Sequence, residues 1–480
     1  MSNGKIVNVE LLDNNTSLLS IELDGKTFKR KFNGELQQYK GMSIRNNDGK
    51  WAIVKTAKKR YKIRLDRRKD LGSILGVTHS TSFDFKVIPQ LDEEVSELTF
   101  VVTKHKQGVA LGQITNIKRN QNEENIAHVE IFGIYGKKNL MLPRTPFFQN
   151  TVVKQAIEDD VNAVLSMDAK EGLYLGKIHE TNIPVYVDSK KILSGGVNVF
   201  AVKGAGKTYM ISVLCEELTK KGIPVVIIDP HGEYYFKQPN MVNEELQKAP
   251  KFGIKPRIFT NQAIFTFSKQ INPLADAEIA YKHLAKESFY TDFLVKPGQI
   301  SILNLRGLPV RVQRVQVAKF LNLLFELRKT GVVPPFALVV EELKKFAPQK
   351  GQSIACLKSL EDYSSEGRKF GIGVCLISQR PADVNKSVVG QTENYIILRM
   401  GYDKTWVSKN VMGAKKYDHL LDKLPIGTAY ASGLFDVPLL IDIRIRESLH
   451  FGANVDVSSR LFEGEGQKKN NLQKDMDALA

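Results

Sequence analysis

The stretch VNVFAVKGAGKTYM, residues 197–210, decides the fold. An apolar run of strand length, VNVFAV, meets the turn Gly204-Ala205-Gly206, then Lys207 and Thr208, and YMISVLCEELTKK (209–221) continues with the spacing of a helix. Strand, glycine turn, lysine, hydroxyl and helix are the parts of a phosphate-binding loop. Backbone N–H groups at the helix start converge on phosphates, the lysine reaches the β and γ oxygens, and the hydroxyl ligates Mg²⁺. The expected ligands are therefore ATP and Mg²⁺, with Gly204, Ala205, Gly206, Lys207, Thr208 and Tyr209 as the binding residues. Ala201 stands where the pattern G-x-x-x-x-G-K-[ST] has its first glycine. That position is the strand-to-loop junction, where a methyl group is tolerable, whereas Gly204 and Gly206 lie where backbone must approach phosphate.

Outward from the loop, apolar runs of strand length alternate with helical segments from about residue 170: IPVVIIDP follows ISVLCEELTKKG, and FALVVEE follows VQVAKFLNLLFELRKTG. This alternation predicts an α/β domain with a mainly parallel central sheet. Such sheets build their sites at the carboxyl ends of the strands, and three ends carry suitable groups. FALVV runs into Glu341-Glu342, a pair suited to holding metal and orienting water, although paired acids also open helices. VVIID runs into Asp229-Pro230-His231-Gly232-Glu233, where Glu233 could orient water or a neighbouring side chain and His231 reads as a hydrogen-bonded loop histidine rather than a metal ligand. GVCLIS runs into Gln379, a neutral amide able to sense a γ-phosphate. Arg368, before that last strand, is either an arginine finger or a surface cation.

The first 160 residues have a different period. Residues 1–70 alternate in short runs such as KIVNVELL and SLLSIEL, broken by DGK turns, which predicts hairpins in a small β domain. Residues 71–160 resume the strand pattern in FDFKVI, ELTFVVTK and IAHVEIFGIY, as in a second β barrel or sandwich. Between them Lys58, Lys59, Arg60, Lys62, Arg64, Arg67, Arg68 and Lys69 are opposed only by Asp66. This run is a solvated face or a nucleic-acid contact, with Lys58, Lys59, Arg60 and Lys62 as the DNA-binding candidates. The α/β domain is expected to span 161–462, and 463–480 is a polar tail. A net charge of +17 over 480 residues favours an anionic partner. Three cysteines without C-x-x-C spacing argue against a disulfide framework or zinc site. No apolar run approaches the ~18 residues of a membrane span, so the expectation is a cytoplasmic protein.

The ordered set of these stretches resembles the HerA family of the HerA/FtsK translocases over about residues 73–455. It includes LGQITNI, LPRTPFF, VVIIDPHGEYYF, LVVEELKKFAP, EGRKFGIGVCLISQRPADV and the closing LPIGTAYASGLFDVPLLIDIRIRESLHFG. The resemblance implies a HAS-like barrel at 71–160, a RecA-like P-loop motor at 161–462, and a homo-hexameric ring that hydrolyses ATP at subunit interfaces to translocate duplex DNA. It also implies a partner, a NurA-like nuclease or an antiviral effector. By the same resemblance Glu341 is the metal-side acid, Glu342 the water-activating base, Gln379 the sensor and Arg368 the finger entering the next subunit's site. This sequence departs from the family at Ala201, in EELKK where EEAHN is usual, and in the additional residues 1–70. The alternative class is a nucleotide-binding ring scaffold that assembles and activates a partner enzyme with little motion on DNA.

Overall fold

The computed structural model describes residues 3–448 apart from 14–15, 24–25, 34–42, 47–50, 56–59, 65–67, 136–140, 166, 237–242, 268–274 and 351–353. The chain divides into two compact units, Met1–Val164 and Leu165–Ala480.

Among its described residues the first unit is β apart from the 3-10 turn Pro89–Leu91 and the helix Glu158–Leu165 at its end. Its leading six strands form an antiparallel sheet in the order Lys26–Asn33, Thr16–Leu23, Asn3–Asp13, Ser43–Asn46, Trp51–Lys55, Arg60–Arg64. The next six close into an antiparallel barrel, Gly108–Arg119, Asn125–Tyr135, Ser82–Val87, Asp70–Leu75, Val152–Gln155 and Phe100–His105, so of barrel and sandwich the barrel is what forms. The alternation in SFDFKV shows why: Phe83, Phe85 and Val87 are buried while Asp84 and Lys86 are not, the period-two pattern of a strand with one face on a core. Ile74, Ile114, Val129 and Val153 complete that core.

The basic run reaches this barrel at its end. Arg68 forks onto the buried carboxylate of Asp160 at 2.8 and 2.6 Å, and Lys69 pairs with Glu94 at 2.5 Å. These two cations are thus used within the unit. Lys58 and Lys59 lie outside the described residues, as does the tail 463–480, and Arg60 and Lys62 occupy the strand Arg60–Arg64.

In the second unit a twelve-stranded sheet runs in the order Pro184–Val187, Leu173–Ile178, Leu439–Ile443, Thr428–Ser432, Asn394–Ile397, Val197–Phe200, Ile372–Ser378, Phe336–Val340, Val225–Asp229, Ile300–Asn304, Gln262–Thr266, Ala277–Glu278. From Asn394–Ile397 to Ala277–Glu278 all neighbours are parallel, and the four strands at the other edge are antiparallel. The runs VNVF, VVIID, ISILN, FALVV and IGVCLIS are buried at every position, as a parallel sheet covered on both faces requires. Among the described residues no helix is long and apolar enough to cross a membrane, and Cys215, Cys356 and Cys375 are buried and free.

A buried ionic cluster fastens the segment after the last strand to the helix Lys207–Lys220. The Arg444 guanidinium, fully buried, donates through Nη2 to Glu216 at 3.1 Å and Glu217 at 2.8 Å, and through Nε to the carbonyl of Tyr174 at 3.0 Å. Glu216 also accepts the backbone N–H groups of Glu447 and Ser448, each at 2.9 Å, and the Ser448 hydroxyl at 2.6 Å. Two buried carboxylates without their cation cost more than the pair returns. Arg444→Met is therefore expected to lower unfolding free energy by about 3–5 kcal/mol, with Glu216→Gln in the same chain recovering part of the loss, as read by denaturant titration.

Candidate ATP site

The carboxyl ends of four adjacent strands, Val197–Phe200, Ile372–Ser378, Phe336–Val340 and Val225–Asp229, carry the side chains singled out in the sequence. Parallel pairing in register brings those ends to one edge of the sheet.

At the first, Ala201 is fully buried and its N–H donates to the carbonyl of Ser378 at 3.4 Å, extending the ladder by one residue. In this loop only Gly204 (φ 79°) and Gly206 (φ 94°) take left-handed backbone, so the glycine requirement falls on them and not on position 201. Gly206 caps the helix Lys207–Lys220 and no side chain caps its amides, which leaves them for an anion. Ala205 is buried and Tyr209, on the helix flank, accepts the N–H of Arg446 at 2.8 Å.

Lys207 is buried and its Nζ donates to Oε1 of the buried Glu341. The other oxygen of Glu341 accepts the hydroxyl of Tyr234 at 2.5 Å. Thr208 Oγ1 donates to Glu233 Oε2 at 3.3 Å, and Glu233 itself is exposed. Glu342 adopts left-handed backbone (φ 52°, ψ 55°), a conformation costing about 1–3 kcal/mol for a residue with a side chain and concentrated at functional sites. Its Oε2 accepts from Gln379 Nε2 at 3.2 Å. The sensor and base candidates are thus in contact, although 37 residues apart in sequence.

Asp229 is buried beneath its own loop, where it accepts the N–H groups of His231 (3.0 Å), Gly232 (2.8 Å) and Tyr234 (3.1 Å). Burial pushes its carboxyl up to about 6 against the pull of those donors. It shapes the loop, leaving Glu233 as the loop's exposed acid.

The Thr208 hydroxyl with the Glu341 and Glu233 carboxylates is an all-oxygen donor set, which suits Mg²⁺. Among the described residues no three His, Cys, Asp or Glu side chains converge as a metal cage. Mg²⁺ needs none, since it binds through one or two protein oxygens and the phosphates of its substrate.

Arg368 stands apart from this edge. It precedes the seven-residue strand Ile372–Ser378, whose far end carries Gln379, so the strand's length of about 20 Å separates it from the loop. There it pairs with Glu393 at 3.1 Å, both side chains exposed. Tyr234 is a partner of Glu341 that local pattern does not reveal, because nothing in EYYF distinguishes which tyrosine turns inward. The Arg444 cluster was equally hidden, since its acids lie 227 and 228 residues away.

A phosphate-binding loop beside paired acids and a polar sensor, on a mainly parallel sheet, defines a P-loop ATPase motor domain. The family model described as helicase HerA, central domain, matches residues 173–291. The chain is 26% identical over 435 residues to the probable DNA double-strand break repair helicase HerA of Methanocaldococcus jannaschii, covering 68% of this chain and 85% of that one. The DNA double-strand break repair helicases HerA of Pyrococcus furiosus and Saccharolobus solfataricus are 23% and 22% identical, covering 69% and 77% of this chain and 83% and 92% of theirs. Likeness to solved structures is looser: VirB4 of Thermoanaerobacter pseudethanolicus has 14% identity and a TM-score of 0.39, with 58% of this chain and 97% of that chain covered. At that score the fold assignment rests on the sheet order and the loop.

Ala201→Gly should leave ATP affinity within about twofold, because position 201 is not in left-handed backbone. Lys207→Ala should weaken it about tenfold or more by removing a charge-assisted contact to phosphate. Titration with a fluorescent ATP analogue in Mg²⁺ checks both.

Proposed function

We propose that this protein is an ATP-driven, ring-forming motor of HerA type that translocates duplex DNA, with each ATP site completed by an arginine from the neighbouring subunit. The contact of Glu342 with Gln379 beside the phosphate-binding loop carries the reading, since it joins a water-orienting base to a γ-phosphate sensor. The relatives' printed names, DNA double-strand break repair helicases, support DNA as the substrate.

In this reading Lys207 leaves Glu341 for the β and γ oxygens, and Thr208 and Glu341 would hold Mg²⁺, which would supply charge neutralisation to the phosphates. Glu342 orients a water molecule and takes its proton. The bond from that water oxygen to the γ-phosphorus forms as the bond from the γ-phosphorus to the bridging oxygen breaks, and the electron pair leaves with ADP. Gln379 registers the change through its hydrogen bond to Glu342.

The distance of Arg368 from its own loop supports action in trans. A head-to-tail ring presents one edge of each sheet to the next subunit, and a cation meeting the γ-phosphate there is worth ~10³ or more in rate. A homo-hexamer is the expected ring. The barrel is the expected docking site for a partner, a NurA-like nuclease or an antiviral effector, and Lys58, Lys59, Arg60 and Lys62 are the expected source of additional phosphate contacts with DNA.

Arg368→Ala and Glu342→Gln should each bind ATP and assemble, yet hydrolyse almost nothing. Mixed in equal amounts and reassembled, they should regain turnover, because about a quarter of the interfaces in a random ring pair an intact Glu342 with an intact Arg368. A mixture as inactive as its parents, with subunit exchange demonstrated, would place Arg368 outside the neighbour's site.

A further inference from the structure

The turn after Glu342 carries a cation back toward the acid-lined end of the site. Leu343–Lys345 is a single 3-10 turn, with Lys345 N–H donating to the carbonyl of Glu342 at 2.8 Å. Arg314, from the helix Val310–Lys329, clamps the carbonyl of Lys345 through its Nε at 2.6 Å. The two lysines of EELKK then diverge. Lys344 pairs with Asp383 at 2.6 Å, and Lys345 is half-buried with its Nζ 3.0 Å from His231 Nε2.

An ammonium has donors and no acceptor, so at this contact Lys345 donates and Nε2 of His231 accepts. His231 is itself fixed by its N–H bond to Asp229. The charges that act on the Lys345 ammonium are those of Glu342 on its own turn, Asp229 and Glu233 on the loop, and Glu341 at the strand end. Burial disfavours the charge on Lys345 and lowers its pKa, while all four acids act the other way. A surface cation would turn outward to water. The Lys345 ammonium instead stays beside His231, which occupies one of its three N–H groups.

We propose that Lys345 is a second catalytic cation of the ATP site, acting in cis from the Glu342 side, and that it exchanges His231 for the γ-phosphoryl oxygens as charge moves onto them. This rests on the ATPase reading above. Lys207 serves the β–γ face of the nucleotide, and Lys345 serves the face from which water attacks. Lys345 donates hydrogen bonds and transfers no proton, so Glu342 remains the base. An imidazole nitrogen as the resting partner suits the role, because a carboxylate would compete with phosphate for the ammonium.

The test uses the full-length protein, Lys345→Met and Lys345→Arg, with thermal unfolding as the folding control. Lys345→Met should bind ADP within about threefold of wild type and keep KM within about threefold, while kcat falls about tenfold or more. Its affinity for Mg·ADP·aluminium fluoride, which mimics the transferring phosphoryl group, should fall about tenfold or more, and Lys345→Arg should recover most of both losses. Unchanged kcat and unchanged fluoride-complex affinity in Lys345→Met would overturn the proposal. So would equal losses of ADP and fluoride-complex affinity, which would make Lys345 a binding or structural residue. If the wild type binds nucleotide without turning over, the fluoride complex still decides the role of Lys345. If it binds no nucleotide, the ATPase reading falls as well, and the wild-type titration alone reveals that.

Discussion

One buried ion pair, Lys207 with Glu341, fixes the geometry on which the rest depends. The lysine opens a helix and the acid ends a strand two places away in the sheet, with the strand Ile372–Ser378 between them. Neither group has water to fall back on, so removing one strands a buried charge in the other, at a cost of about 3–5 kcal/mol. Tyr234 donates to the second oxygen of Glu341 and so ties the 229–236 loop to the same carboxylate. Three strand ends are thereby locked around a single carboxylate, and Gln379 and Glu342 meet as a consequence of that convergence.

The same pair suits a site that takes a cation and a polyanion together, as proposed above for Mg²⁺ and ATP. Glu233, Glu341 and Glu342 crowd one end, with Lys207 and Lys345 as the cations among them. A bare nucleotide would face repulsion from those acids, and Mg²⁺ alone would compete with Lys207. In the proposed reading Lys207 would meet phosphate, and Thr208 and Glu341 would hold the Mg²⁺ that accompanies ATP. Charge complementarity of this kind is realised only when both ligands are present, which is the condition for coupling binding to hydrolysis.

Much of this was legible in the sequence because the informative residues sit at the ends of unmistakable apolar runs. VNVF, VVIID, FALVV and IGVCLIS each announce a buried strand, and whatever follows must lie at the sheet edge. The tolerance for Ala201 could be argued from its place in the motif, and the backbone angles agree. What stayed hidden was set by contacts across the chain. Tyr234 finds Glu341 over 107 residues, Lys345 finds His231 over 114, and Arg444 finds Glu216 over 228. Local pattern carries no record of such pairs. The left-handed backbone at Glu342 was equally unforeseen, since a glutamate gives no conformational warning.

In the motor proposed here the Glu342 site turns over ATP and duplex DNA drives the turnover. The deciding measurement is phosphate release by the wild type and by Glu342→Gln, with and without duplex DNA at matched nucleotide occupancy. Duplex DNA should raise the wild-type rate several-fold, and Glu342→Gln, fully loaded with Mg·ATP, should release almost no phosphate in either condition. A wild-type rate indifferent to DNA, or a Glu342→Gln protein hydrolysing as fast as wild type, would contradict it.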